Sequence, residues 1–293
     1  MLSMIDLYLL RYFIAVVETG NFTRAAERAF VTQPTLSAGI KKLESQIGQP
    51  LFERTNRRVF LTDAGTRFLP RAKAIMHECN LAMQAIEGSE DKPVLRLGLL
   101  ITLAHRRVGE FLLEYKKFEP DITIEVFDGT EQELLNRLDE RSIDYALSLK
   151  RSDNLEEAIP LRRENYVFIL PKEHTLNGRS ELSASDLREE NMIVRSRCEV
   201  LSETSRYFTD SNIRPRLVYR TANDARAVAM VAAGLGGTLV PESFVDDRVT
   251  AFDLTGFNNS RELALLRPRY QLADKSQEVA ARLERFTTEF WGN

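Results

Sequence analysis

Between Asn21 and Gly48 the chain carries two short helical patterns separated by a tight turn, and the second pattern is the most regular in the molecule. The first opens near Asn21 or Thr23 and runs through Ala25, Ala26 and Ala29, small residues that let a neighbouring helix approach closely; Val31 ends it. Thr32-Gln33-Pro34 opens the second, with Thr32 as the cap and proline tolerated in a first helical turn. Leu36, Ile40, Leu43 and Ile47 then form one apolar stripe, and Gly48 stops the helix. Upstream, Asp6 is placed to cap a helix on which Leu7, Leu10, Phe13, Ile14 and Val17 repeat at helical spacing until Gly20. Two short helices joined this way form a helix-turn-helix at about 22–41.

In that motif the amino-terminal end of the second helix enters the major groove of a duplex. Gln33, Thr35, Ser37, Ala38, Lys41 and Lys42 lie off the apolar stripe and are the groove-facing candidates. Gln33 offers a donor and an acceptor to an adenine edge. Thr32, Thr35 and Ser37 are short hydroxyl residues suited to phosphates, Lys41 adds charge neutralisation, and Thr23 and Pro34 complete the DNA-binding candidates. Thr32 serves equally as a plain cap, and Ser37 equally as a water-facing hydroxyl. After Gly48, residues 50–62 read as a two-stranded hairpin whose tip carries Arg54, Arg57 and Arg58, guanidinium groups suited to a sugar-phosphate backbone or a minor groove. Charge agrees with this. The chain of 293 residues has a net charge of −3. Residues 21–75 hold ten Lys/Arg against four Asp/Glu, a surplus of six, which leaves the rest at −9. A basic module on an acidic body suits a chain of which one part meets a polyanion.

Leu10-Arg11-Tyr12-Phe13, Asn21-Phe22-Thr23-Arg24-Ala25-Ala26, Thr32-Gln33-Pro34-Thr35-Leu36-Ser37, Lys42-Leu43-Glu44, Pro50-Leu51-Phe52-Glu53-Arg54 and Leu61-Thr62-Asp63-Ala64-Gly65 follow one another over about 60 residues. This ordered run resembles the DNA-binding domain of LysR-type transcriptional regulators. The resemblance implies an α/β protein with three parts. Residues 5–62 would be an all-α winged helix-turn-helix, 63–89 a linker and dimerisation helix, and 93–293 a bilobed, periplasmic-binding-protein-like effector domain. Lobe I would comprise 93–162 and 268–293, and lobe II 163–267. It further implies dimers paired into tetramers that bend DNA. One departure concerns Ala38 and Gly39, where members of the family often carry larger polar residues. Base reading there would be limited to an Ala38 contact with a thymine methyl group. Gly39 would cost the helix about 1 kcal/mol relative to alanine.

From Leu61 onward Gly65, Phe68, Ala72, Ile75, Cys79, Ala82 and Ile86 repeat at alternating spacings of four and three, a narrow seam for helix pairing. Pro70 is expected to kink that helix. A homodimer places two reading helices about one DNA turn apart and so predicts a partly palindromic operator. Cys79 on the seam reads as a packing residue, with an intersubunit disulfide as the alternative.

Residues 87–93 are polar, contain glycine and proline, and mark a boundary. Beyond them short apolar strands alternate with helical stretches, which argues for parallel βαβ units in two halves with a cleft between them. By resemblance, a small anionic or polar effector would meet Thr102, Thr130, Arg195, Ser196, Cys198 and Asn223. Each of these could instead be an N-cap or a packing residue. Arg195 and Arg197 would favour a carboxylate if either points into the cleft. Cys198 lies in a region similar to the reactive cysteine of peroxide-sensing members, which opens a redox-responsive alternative. No second cysteine follows in that loop, so an intramolecular disulfide there is not expected.

An enzyme with an appended DNA-binding module is the competing class. The chain has no Gly-x-Ser-x-Gly, no phosphate loop and no metal-spaced histidines, so no catalytic residue, metal or cofactor is expected. Gly234-Leu235-Gly236-Gly237 precedes a strand, the wrong context for a dinucleotide site. No apolar run of about 18 residues is present, which predicts no membrane helix. The first ten residues lack a basic start before an apolar run. Two cysteines fit a reducing, cytoplasmic setting.

Overall fold

A computed structural model describes residues 5–54, 59–86, 93–270 and 274–292. It divides into two compact units, Met1–Arg96 with Leu135–Asp144, and Leu97–Leu134 with Tyr145–Asn293.

In the first unit, α1 (Leu7–Thr19), α2 (Phe22–Arg28) and α3 (Gln33–Ile47) pack around one apolar cluster, followed by the hairpin β1 (Phe52–Arg54) and β2 (Val59–Leu61) and by α4 (Asp63–Ile86). Asn21 caps α2 by accepting from the Thr23 and Arg24 amides at 2.8 and 3.1 Å. Thr32 caps α3, its hydroxyl accepting from the Thr35 amide at 3.4 Å. Leu36, Ile40 and Leu43 are wholly buried, each contributing about 2–3 kcal/mol of apolar burial. Asp6 does stand at the head of α1 but makes no side-chain cap; its carboxylate accepts instead from Lys42 at 2.7 Å. Glu44 accepts from the Leu51 and Phe52 amides, which ties the hairpin to α3.

Three expectations change in this unit. Helix α2 ends at Arg28 rather than Val31, because Phe30 takes a left-handed conformation with φ +57°. Gly39 is buried rather than turned to a groove: a Cβ built there would stand 2.7 Å from the Tyr12 ring, so glycine lets α3 approach α1. The first half of the supposed dimer seam is spent inside the unit. Leu61 lies on β2, and Leu61, Phe68 and Ala72 join the core of the first three helices. Ile75 is exposed and Cys79 half-buried. The side chains of Ala82 and Ile86 lie outside the described residues. Helix α4 continues through Pro70.

The second unit holds most of the body. Its main strands are β3 (Val94–Leu100, entering from the first unit), β4 (Thr123–Gly129), β5 (Tyr145–Leu149), β6 (Ala158–Pro171), β7 (Glu181–Leu182), β10 (Thr238–Pro241), β11 (Val249–Leu254) and β12 (Ser260–Leu266). They form one sheet in the order β4-β3-β5-β12-β6-β11-β7, with β10 also pairing β6. A second, parallel pair is made by β8 (Asn191–Arg195) and β9 (Arg216–Thr221). Helices α5 (His105–Phe118), α6 (Glu131–Asp139), α7 (Leu201–Asp210), α8 (Asp224–Ala232) and α9 (Asp274–Gly292) alternate with the strands. The parallel β3–β5 and β8–β9 pairs agree with the alternation in the sequence.

Strand β6 runs unbroken from Ala158 to Pro171. The front of β6 pairs β12, and its back pairs β10 and β11, so β6 carries the chain from one lobe into the other. Strand β12 starts opposite Asn165, at the same crossing.

Gly65 offers a sharp test of the packing in the first unit. A Cβ at this position would overlap the Leu51 carbonyl oxygen, and backbone cannot move aside as a side-chain tip can. Gly65→Ala is expected to cost about 2–3 kcal/mol in urea unfolding of the full chain, although alanine is the better helix former by about 1 kcal/mol.

Candidate nucleic-acid interface and interlobe site

The start of α3 presents Gln33, Pro34 and Thr35 to solvent, with Ser37 half-buried and Ala38 and Lys41 exposed behind them. The Thr32 and Thr35 hydroxyls bond each other at 2.8 Å. Gln33 and Lys41 have no hydrogen-bonding partner among the described residues. Thr23 is exposed at the start of α2. Lys42 is drawn away: its ammonium donates to Asp6 at 2.7 Å and to the Tyr8 hydroxyl at 3.1 Å, so it fastens α3 to α1. Arg54 ends β1, but its side chain lies outside the described residues, as do Arg57 and Arg58 entirely.

In the body, the six residues expected to line an effector site have several fates. Thr130 caps α6: its amide and hydroxyl donate to the Glu133 carboxylate at 2.8 and 2.9 Å, and its oxygen accepts from the Glu133 amide. Asn223 caps α8, accepting from the Arg226 amide at 2.9 Å. Ser196 donates to the Thr221 carbonyl. Arg195 is 2% exposed and points into lobe II. Its guanidinium pairs with both oxygens of Asp224, donates to the Leu239 carbonyl at 3.1 Å and lies over the Phe244 ring. That pairing turns it away from the cleft, because a buried guanidinium needs a buried carboxylate more than an open cleft can supply. Cys198 is half-buried, and its sulfur lies 3.5 Å from Arg195 Nη1. Burial pushes its thiol up, and the opposing pull of Arg195 is the smaller effect.

Thr102 leads to a cluster that the sequence did not disclose. Arg261, 3% exposed at the start of β12, donates to Glu164 at 2.8 Å, to Glu199 at 2.9 Å and to the Thr102 carbonyl at 3.0 Å. The Thr102 hydroxyl donates to one Glu199 oxygen, and the Tyr166 hydroxyl donates to the other at 2.8 Å. Burial works against the charge on Glu199. The Arg261 guanidinium and the Thr102 hydroxyl overcome it and hold this carboxyl below the usual carboxylate range. Burial and the facing carboxylate push the Tyr166 phenol up. Glu164 and Tyr166 stand on the crossing strand β6, Thr102 after β3, and Glu199 in the loop after β8. The one available sequence signal was a charged residue inside otherwise apolar strands, as at Arg195 and Arg261.

Beside this cluster a cavity of about 390 Å³ opens between the lobes. Leu99, Leu100, Leu103 and Val108 form its apolar wall, with His105, Asp128, Arg197, Asn223 and the Arg195-paired Asp224 as polar groups. Arg197 is exposed and has no ion-pair partner among the described residues.

Family comparison agrees with both halves. Residues 7–66 match the bacterial regulatory helix-turn-helix protein model of the lysR family, and residues 88–287 match the LysR substrate binding domain. A probable hydrogen peroxide-inducible genes activator of Mycobacterium leprae is 34% identical over 239 residues, covering 80% of this chain and 77% of that protein. The Hca operon transcriptional activator HcaR of Escherichia coli is 31% identical, covering 79% and 80%. The fold is that of full-length CbnR solved with its target DNA, with a TM-score of 0.66 at 22% identity over 97% of this chain and 99% of that one. A full-length OxyR variant from Pseudomonas aeruginosa gives a TM-score of 0.66 at 20% identity, covering 97% and 95%. The chain belongs to the LysR family: it is a DNA-binding transcription regulator with an effector-binding body. Among the described residues no helix is long and apolar enough to cross a membrane.

Two outcomes follow for the buried charges. Asp224→Asn leaves Arg195 without its counter-charge and is expected to lose about 3–5 kcal/mol in urea unfolding. The folded-state pKa of Glu199 lies below the ordinary 4.5. Its contribution is therefore complete above that value and fades as pH falls through the lower folded value. Acid unfolding of Glu199→Gln should accordingly be less steep than that of the parent below the ordinary carboxylate range.

Proposed function

We propose that this regulator reads a partly palindromic operator with the exposed start of α3, working as a homodimer that pairs into tetramers, and that a small effector in the 390 Å³ cavity sets the arrangement of its DNA-binding modules. The observation that carries the DNA reading is the split of α3 into two faces. Leu36, Ile40 and Leu43 are buried, while Gln33, Pro34, Thr35 and Lys41 are bare. Gln33 reads a base edge. Thr23, Thr32, Thr35, Ser37 and Lys41 face phosphates, and Arg54, Arg57 and Arg58 grip the backbone from the hairpin. The effector is an apolar molecule with an anionic group, because the cavity joins a leucine-rich wall to the unpaired Arg197. Arg197 takes the role that Arg195, sequestered by Asp224, does not. A protein whose target is an operator works in the cytoplasm, and no turnover of the effector is assigned to it.

The test is an electrophoretic shift with promoter DNA across a salt series. Gln33→Ala should lose about 1–3 kcal/mol of specific binding with the salt slope kept, and Lys41→Ala should weaken all sequences and lower the slope by about one. Unchanged affinity in both variants would remove α3 from the interface.

The name of the mycobacterial relative raises a peroxide response through Cys198. Burial raises the Cys198 thiol above its ordinary range more than Arg195 lowers it, which disfavours the reactive thiolate. Cys198→Ser should therefore bind DNA like the parent with and without peroxide.

A further inference from the structure

Glu199 is placed as a bound ligand would be. One of its carboxylate oxygens accepts from the Thr102 hydroxyl and from Arg261, the latter at 2.9 Å, and the other accepts from Tyr166 at 2.8 Å. These donors come from a lobe I loop and from the two crossing strands, whereas Glu199 hangs from a lobe II loop. Arg261 does not need it for neutrality, since Glu164 already faces Nε at 2.8 Å and has 2% of its side chain exposed. We propose that Thr102, Tyr166 and Arg261 form a carboxylate-binding subsite that this chain fills with its own Glu199, closing that part of the cleft to small free carboxylates.

The inference rests on reading the cleft as the effector site and adds which ligands it refuses. A carboxylate tethered by a short loop competes at an effective concentration of about millimolar or above, without any cost of association. A free monocarboxylate gains nothing by taking its place, and it would leave the Glu199 charge in a half-buried site without its donors. An effector carboxylate is accordingly directed to Arg197, two residues away on the same loop.

Glu199→Ala empties the subsite while leaving Arg261 paired with Glu164, so the full chain should still fold. Acetate has the same heavy atoms as the group this substitution removes. Thermal denaturation is followed in sodium acetate and in sodium chloride at matched ionic strength. For E199A the midpoint should rise saturably with acetate, by about 3–5 °C when acetate exceeds its dissociation constant about tenfold. The parent and E199Q, whose side chains fill the space, should respond no more to acetate than to chloride. Equal responses of E199A to the two salts would overturn the proposal, as would an acetate response of the same size in the parent. If E199A is recovered unfolded, its refolding yield is read over the same titration: recovery with acetate alone supports the subsite, and equal recovery in both salts overturns it. An acetate shift with no change in operator binding would uphold the subsite and count against effector control through this cleft.

Discussion

A guanidinium buried where two strands cross between lobes sets the form of the body. Arg261 leaves water almost completely, a cost of several kcal/mol that only close counter-charges can offset. Glu164 on β6 supplies one and Glu199 on the lobe II loop the other, with Thr102 closing the set from lobe I. Any opening of the lobes that parts these groups exposes or orphans a charge. Glu164, Tyr166 and Arg261 stand on the crossing strands, so any parting of the lobes would be felt first at the two loop members, Thr102 and Glu199. A second buried pair, Arg195 with Asp224, lies within lobe II and fixes the end of β8 against the start of α8. It stiffens the lobe that bears Glu199 without crossing the cleft.

In the first unit, close approach plays the part that charge plays in the body. α3 has to be near enough to α1 for Gly39 to lie against Tyr12, and α4 near enough to the hairpin for Gly65 to lie under the Leu51 carbonyl. Both contacts leave no room for a methyl group. Their effect is to present the start of α3 at a fixed angle, with Lys42 pinned to Asp6 and Glu44 pinned to the hairpin amides on its flanks. The exposed side of α3, with Gln33, Thr35 and Lys41, is thereby left out of the packing, as the proposed reading of a duplex requires.

Local rules made much of this legible. Thr32, Pro34 and Gly48 bound α3 because capping and proline chemistry act within one turn, and the stripe from Leu36 to Leu43 gave its inner face. Alternating strands and helices disclosed the parallel pairs. What escaped was non-local. Nothing in the spacing of Arg195 and Asp224, or of Arg261 with Glu164 and Glu199, marks them as partners across 29, 97 and 62 positions. The same limit made a heptad seam out of Leu61, Phe68 and Ala72, which keep the right period but face their own unit. Periodicity identifies a buried face and does not say what buries it. Thr130 and Asn223 take the capping role that the sequence left open beside an effector role, since a hydroxyl or amide at a helix start finds a local donor, and Asn223 lines the cavity as well.

The loop from Ser196 to Val200 joins the two parts of the cleft. Arg197 lines the cavity, and Glu199, two residues on, closes the lobe junction. A segment this short cannot move one without displacing the other, because Arg195 behind it and α7 ahead of it are both anchored. On the proposed reading, an effector that drew Arg197 inward would act on the Glu199 contacts as well. Its leverage is limited by its differential affinity for the two settings of that loop. A ligand that touches only the apolar wall, and leaves Arg197 where it stands, would bind without shifting the lobes.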